Sequence, residues 1–393
     1  MNEVLTTKLI FFFNPFSYLK NFLYICISMV KPLLNFSRWF VGLLFIFSGF
    51  IKANDPTGFS IKLNEYFELF GLHYFISWSV SIAILICVLE IVLAVALILN
   101  ARIRLTSWLL LLLILFFTAL TGYSAITYKV TDCGCFGDAI KLTPLQSFIK
   151  DLVLLFFILI IFIKNKTLNP VVSRKTENFL VLFSLLIVSG FALYCYNFLP
   201  VIDFLPYKTG IDIPSSMKSS APFQFEYVYS KDGKQYRYKN IKDAPYSDST
   251  YKFDTTYVLN PEAGPKITDY RITTPEGDDS TDASLTGIKL LVIIADLKKA
   301  SLRNTKIIAN LAKFISAHKI GETWLVSGSS NEESEVFRHE FQLAMPLFSG
   351  DATLLKSIVR SNPGLMLLKN GKVIKKWHNN RLPDEGEIKE LCR

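Results

Sequence analysis

The chain is poor in the residues on which most enzyme chemistry relies. It has 4 histidines, 6 cysteines and 19 glycines in 393 residues. No zinc-ligand spacing, P-loop, dinucleotide-binding fingerprint or nucleophile elbow occurs in it, and His and Gly are too sparse for most of them. Charge is scarce as well. Only 19% of residues are Asp, Glu, Lys or Arg, against 51% hydrophobic residues that include 33 Phe. That balance excludes an ordinary soluble protein throughout the chain. The net charge of +9 does not point to nucleic acid. The basic excess sits in short segments flanking apolar runs: Lys31 and Arg38, then Arg102 and Arg104, then Lys164, Lys166, Arg174 and Lys175. These alternate along the chain as the positive-inside tendency requires of cytoplasmic loops, so the expected partner is a lipid bilayer and no nucleic acid.

The apolar residues are concentrated in the first half. Five stretches are long enough to cross a bilayer, which takes about 20 helical residues: Leu33–Ile51, Trp78–Leu99, Thr106–Tyr128, Leu145–Ile163 and Phe179–Leu199. A sixth stretch, Leu9–Val30, is interrupted by Asn14, Pro15, Ser17, Lys20 and Asn21. It reads as an extra helix, an interfacial helix, a poor signal sequence or an upstream extension, with Met29 as an alternative start. No cleavage site follows it convincingly. The expected organisation is a hydrophobic extension over 1–30, a four-helix membrane unit over 31–165 and a cytoplasmic linker with a fifth span over 166–206. A β-rich segment over 207–265 and an α/β domain over 266–393 follow. The loops Lys52–Ser77 and Lys129–Pro144, and everything after the fifth span, are then expected outside the cytoplasm, facing the periplasm or exterior.

Within the membrane half, Gly42, Ser48, Gly49 and Ala53 recur along one side of the first span and read as a helix-packing face. Glu90 lies in Leu85-Ile-Cys-Val-Leu-Glu-Ile-Val-Leu, apolar on both sides. A carboxylate at that depth must be protonated, paired or turned to the bundle interior. Arg38 and Lys52 are partners by composition, and the group is either an interhelical anchor or a proton acceptor. Cys87, one turn earlier, reads as core packing.

The loop Asp132-Cys-Gly-Cys-Phe-Gly-Asp138 concentrates the most chemistry. Residues i and i+2 lie within about 7 Å even when extended, so a small bend brings Cys133 and Cys135 into disulfide range. Gly134 provides the backbone freedom for such a small ring. Strain makes such a pair a better oxidant than a structural bridge. The pair is therefore a structural disulfide, a thiol-redox centre or, with less support from the hard ligands Asp132 and Asp138, a metal site. The redox reading makes Cys133, Cys135 and Glu90 the catalytic residues and a membrane quinone the electron acceptor. Disulfide-generating membrane enzymes such as DsbB use two dithiol pairs, whereas this chain shows one external pair.

Arg38-Trp-Phe-Val-Gly-Leu-Leu-Phe-Ile-Phe-Ser-Gly-Phe-Ile-Lys52, Asp55-Pro-Thr-Gly58, the intramembrane Glu90 and the Cys-Gly-Cys loop together resemble the DoxX and MauE families of small four-helix membrane proteins. The match runs over roughly residues 33–165, and the loop points to the MauE side. With a fifth span and Leu199-Pro-Val-Ile-Asp-Phe-Leu-Pro-Tyr207 after it, the chain resembles longer Bacteroidetes-type DoxX proteins with an extracytoplasmic domain, which implies a bacterial inner-membrane protein with its C-terminal domain in the periplasm. The resemblance implies a fold. By association, it also implies methylamine utilisation and the maturation of a disulfide-rich periplasmic enzyme on the MauE side, and quinone-linked oxidoreduction on the DoxX side.

The second half is polar. Phe223–Tyr229 alternates, Asp232-Gly233 is a turn and Lys234–Tyr238 is strand-like, which predicts a hairpin. Lys289–Asp296 and Thr323–Ser327 read as buried strands, and Leu302–His318 and Asn331–Gln342 as helices. Asp351 caps a helix to Arg360, and Leu365–Leu368 and Lys372–Trp377 are strands joined at Asn370-Gly371. The order helix, Asn362-Pro363-Gly364, strand, turn, strand resembles the C-terminal half of a thioredoxin-like fold, and the resemblance implies a cis bond before Pro363. The place of a thioredoxin Cys-x-x-Cys motif reads Ala295-Asp-Leu-Lys-Lys-Ala-Ser301, without cysteine. This domain is expected to bind a periplasmic client rather than to exchange thiols. His318, His339 and His378 are expected at the surface. The fold class expected is thus an α-helical membrane bundle plus a fifth span, followed by a soluble α/β thioredoxin-like domain. Its function is either quinone-linked thiol redox chemistry or non-catalytic membrane assembly.

Overall fold

The computed structural model describes the backbone of residues 15–130, 134 and 136–393, with side chains from residue 31 onward. It divides into two compact units, Met1–Tyr196 and Asn197–Arg393.

The first unit is helical. α1 (Pro15–Asn54) is continuous through Pro32, followed by α2 (Pro56–Leu69), α3 (Ser79–Leu99), α4 (Ile103–Thr127), α5 (Pro144–Lys164) and α6 (Arg174–Asn197). Among the described residues, five helices are long and apolar enough to span a membrane: Lys31–Asn54, His73–Leu99, Ile103–Thr127, Pro144–Thr167 and Arg174–Asn197. The protein is therefore a multi-pass membrane protein. α1 packs on α3 and α5, and α4 on α5 and α3, which closes a four-helix bundle. Gly42 and Gly49 do turn to α3. A Cβ at Gly42 would stand 2.7 Å from Ile98 Cγ1, and one at Gly49 2.6 Å from Ile91 Cγ1. These glycines let the two helices approach closely.

The loop between the first two spans contains a helix that the sequence reading missed. α2 starts where Asp55 accepts the Gly58 N–H at 2.8 Å, and Pro56 occupies its first turn. Phe59, Leu63 and Tyr66 are buried against the bundle, and Tyr66 Oη bonds Ser124 Oγ of α4 at 2.8 Å. α5 begins in a capping box, Thr143 with Gln146. The fifth span lies outside the four-helix core. Phe191 stacks on Phe50, while Val188 and Ala192 join the cluster around Cys87. At the other end Glu177 accepts the Arg102 N–H at 3.1 Å.

In the second unit, α7 (Ile213–Ser216) precedes β1 (Phe225–Lys231), β2 (Lys234–Tyr238) and β3 (Lys252–Val258), which form a sheet in the order β2-β1-β3. β1 and β2 are the expected hairpin, and β3 is an additional strand. A second sheet follows, built from β4 (Ile272–Thr273), β5 (Ile288–Ile294), β6 (Glu322–Ser327), β7 (Leu347–Gly350), β8 (Gly364–Lys369) and β9 (Lys372–His378). The helices α8 (Thr281–Ser284), α9 (Thr305–Ala317), α10 (Asn331–Glu340), α11 (Ala352–Ile358) and α12 (Glu385–Cys392) surround it. The strand order is β4-β7-β6-β5-β8-β9, with β5 parallel to β6 and antiparallel to β8. The segment β5-α9-β6, then α11-β8-β9-α12, is the thioredoxin arrangement, and the Asn362–Pro363 bond is cis.

Both sheet faces are covered, so β5 reads as an unbroken apolar run. Leu291 and Ile293 pack with Trp324, Met366 and α11, whereas Leu290, Val292 and Ile294 pack with α9, Phe337 and Trp377. α9 starts three residues later than expected and α11 ends at Ile358, two short of the expected Arg360. β4, β7 and α12 have too weak a pattern to be read from sequence.

Candidate functional site

The candidate site lies in the bundle where the C-terminal end of α1, α2 and the N-terminal end of α5 meet the Cys-Gly-Cys loop. Cys133, Cys135 and Asp132 lie outside the described residues. The loop's described residues show what it rests on. Gly134 has φ +68°, a conformation that favours glycine, and a Cβ there would lie 3.0 Å from Lys62 Cγ and 3.6 Å from Phe59 Cδ2, both on α2. A Cβ at Gly137 would lie 3.5 Å from Ile51 Cγ2 on α1. Phe136 sets its ring 5.5 Å from that of Phe47, and Lys150 Nζ of α5 is 5.3 Å from the Phe136 ring.

Below these residues the bundle encloses charge. Glu90, buried on α3, takes Lys52 of α1 as its partner at 2.5 Å, and each side chain is only 2% exposed. Ser48 donates to Glu90 Oε2 at 3.1 Å, and Lys52 Nζ donates to Ser48 Oγ at 3.0 Å. The ammonium also sits 5.3 Å from the Phe59 ring and 4.7 Å from that of Phe117. Such contacts add electrostatic stabilisation to a desolvated cation. Arg38, the other partner considered, is 14 residues from Lys52, about 21 Å along an α-helix, and its guanidinium lies 6.0 Å from the Trp39 ring. Cys87 is fully buried among Ala53, Phe59 and Phe117 and is a free thiol, as is Cys392.

A second charged pair, which the sequence reading missed, occupies α5. Lys150 Nζ is 2.6 Å from Asp151 Oδ1, and Asp151 Oδ2 accepts a 2.9 Å bond from Thr121 Oγ1 of α4. Asp151 is 1% exposed. A sequence signal existed, since Asp151 stands inside the fourth apolar run and falls under the same depth argument as Glu90. All four charged groups line one cavity of about 10 Å³, about the room one water needs.

In the soluble unit, the place of a thioredoxin dithiol is an ordered turn. Asp296 caps the turn Leu297–Lys299. The Asn362 side chain fastens it, accepting from Ala295 N at 3.0 Å and donating to Asp296 O at 2.6 Å, while Ser301 N bonds Asn362 O at 2.9 Å. No sulfur reaches this end of the sheet from 295–301. His318 and His339 are exposed. His378 departs from the surface position expected of it: it is half-buried at the end of β9, its Nδ1 accepts the Asn380 N–H at 3.0 Å, and burial pushes its pKa down to about 4.

No curated protein matches the chain. A solution structure of a candidate protein disulfide isomerase from Bacteroides thetaiotaomicron aligns with 31% of this chain and 83% of its own, at 16% identity and a TM-score of 0.27. The model of the family described as Methylamine utilisation protein MauE matches residues 30–164. The match covers about a third of the chain, and it is the membrane bundle with the buried Lys52–Glu90 pair that is similar to this family.

Proposed function

We propose that the protein is a thiol–disulfide redox protein of the bacterial inner membrane, working through Cys133 and Cys135, with its soluble unit in the periplasm. Two thiols of a periplasmic client reduce the Cys133–Cys135 disulfide: the client disulfide forms and both electrons remain on the pair as a dithiol. A membrane quinone then reoxidises the dithiol and leaves as hydroquinone. Glu90 accepts a proton released at the thiols. The observation that carries this reading is the Lys52–Glu90 pair, buried at the end of the bundle on which Gly134, Phe136 and Gly137 rest. An ionisable carboxylate held at a fixed position inside a membrane bundle is the kind of group that serves proton transfer.

One observation favours a second reading, in which the protein is a non-catalytic assembly or maturation factor. The thioredoxin-type sheet keeps its cis-Pro363 turn but carries Asp296–Ser301 where cysteines would stand. A fold without its nucleophile binds rather than exchanges.

Thiol-specific mass tagging of Cys133 and Cys135 in membranes separates the two readings. Under the redox reading the pair is oxidised on adding quinone and reduced by a dithiol client. A pair inert to both refutes it and leaves the binding role.

A further inference from the structure

Lys150, Asp151 and Thr121 take no part in the reading above, yet they form the other half of the buried network, and Lys150 touches the described part of the loop at Phe136. Lys150 is part-exposed at the head of α5, with the Phe136 ring, one residue from Cys135, at 5.3 Å. Its partner Asp151 is sealed from solvent and held by Thr121. Asp151 and Glu90 then face the same water-sized cavity from α5 and α3.

We propose that Asp151 and Glu90 are a two-proton store for oxidation of the Cys133–Cys135 dithiol. This rests on the redox reading above and assigns where its protons go. Oxidation of the dithiol breaks two S–H bonds, forms one S–S bond and releases two electrons and two protons. The electrons reduce the quinone, the two carboxylates take one proton each, and both protons pass on to the reduced quinone, which leaves as hydroquinone. Two carboxylates match two protons. Each is paired with a lysine, whose ammonium balances the carboxylate charge in the resting state. Each lysine has a second source of stabilisation when its carboxylate is neutralised: Phe59 and Phe117 for Lys52, Phe136 and partial exposure for Lys150. The titratable groups facing the cavity are Lys52, Glu90, Lys150 and Asp151. Lys62 and Tyr66 of α2 line the adjoining cavity, and Asp55 caps α2 at the same end.

The test uses the full chain in lipid nanodiscs with a water-soluble quinone. Reoxidation of the prereduced cysteine pair is followed by mass tagging across a pH series. Asp151→Asn is expected to slow reoxidation about tenfold or more and to flatten its pH profile. Reaction-induced infrared difference spectra should show a protonated-carboxyl C=O band that Asp151→Asn removes in part. Should that variant fold poorly, the charge-neutral pair Lys150→Gln with Asp151→Asn must show the same slowing. Wild-type rate and pH profile in the folded variant would overturn the assignment of Asp151 while leaving the redox reading in place. A wild-type pair that does not cycle with quinone would overturn both.

Discussion

Lys52 is the perturbation that tests the bundle most sharply. Lys52→Met keeps the length of the side chain but leaves Glu90 with the Ser48 hydroxyl at 3.1 Å in place of an ammonium. Removing one partner of a buried pair costs about 3–5 kcal/mol. On the scale of a domain of this size that lowers the melting temperature by roughly 6–20 °C. Glu90→Gln should cost less, about 2 kcal/mol, because the ammonium keeps Ser48 at 3.0 Å and two aromatic rings. The double variant carries no uncompensated charge and should lose only about 1 kcal/mol. The cycle therefore predicts a coupling of at least about 4 kcal/mol. Thermal unfolding of the four proteins in matched lipid nanodiscs measures it. A Lys52→Met protein that melts with the wild type would refute the claim that the pair is buried and charged.

Three further outcomes are expected. Gly49→Val places its Cβ 2.6 Å from Ile91 Cγ1 and 3.2 Å from Cys87 O. It should force α1 from α3 at about 1–3 kcal/mol, read as a lower melting temperature that Gly190→Val, with open space at that position, does not share. Gly321→Ala drives a Cβ into the Ile288 carbonyl oxygen, so refolding yield and denaturant midpoint of the soluble unit's transition should both fall. His378 has a folded pKa near 4, below its ordinary value of 6.5, so the unfolded chain binds the proton more tightly. Its contribution is complete above pH 6.5, is lost as pH falls towards 4 and changes no further below that. Because the ring is partly exposed, the effect is on the order of 1 kcal/mol. His378→Gln should flatten the pH dependence of stability between pH 6.5 and 4, and an unchanged slope would count against it.

Much of this protein is legible in one dimension. Spans announce themselves because a helix in lipid needs an apolar run of a set length, and β5 and β6 because strands covered on both faces lose their alternation. The Asp351 cap, the Asp232-Gly233 turn and the missing cysteines at 295–301 are local facts that local residues decide. α2 escaped notice because its buried Phe59, Leu63 and Tyr66 are interleaved with Lys62, Asn64 and Glu65, as in any half-exposed helix shorter than a span. β4, β7 and α12 are short, and their existence depends on a neighbour to pair with or pack on.

Sequence alone therefore established that Glu90 needs a partner, from the cost of an ionised group in lipid. It did not establish which one. Lys52 lies 38 positions away and was chosen over Arg38 by helix length and by the approach of α1 to α3 at Gly49. Asp151 was visible as a carboxylate in an apolar run, but its sharing a cavity with Glu90 depends on four helices closing into a bundle. Depth is a property of composition, whereas partnership is a property of packing, which brings together residues that the chain keeps apart.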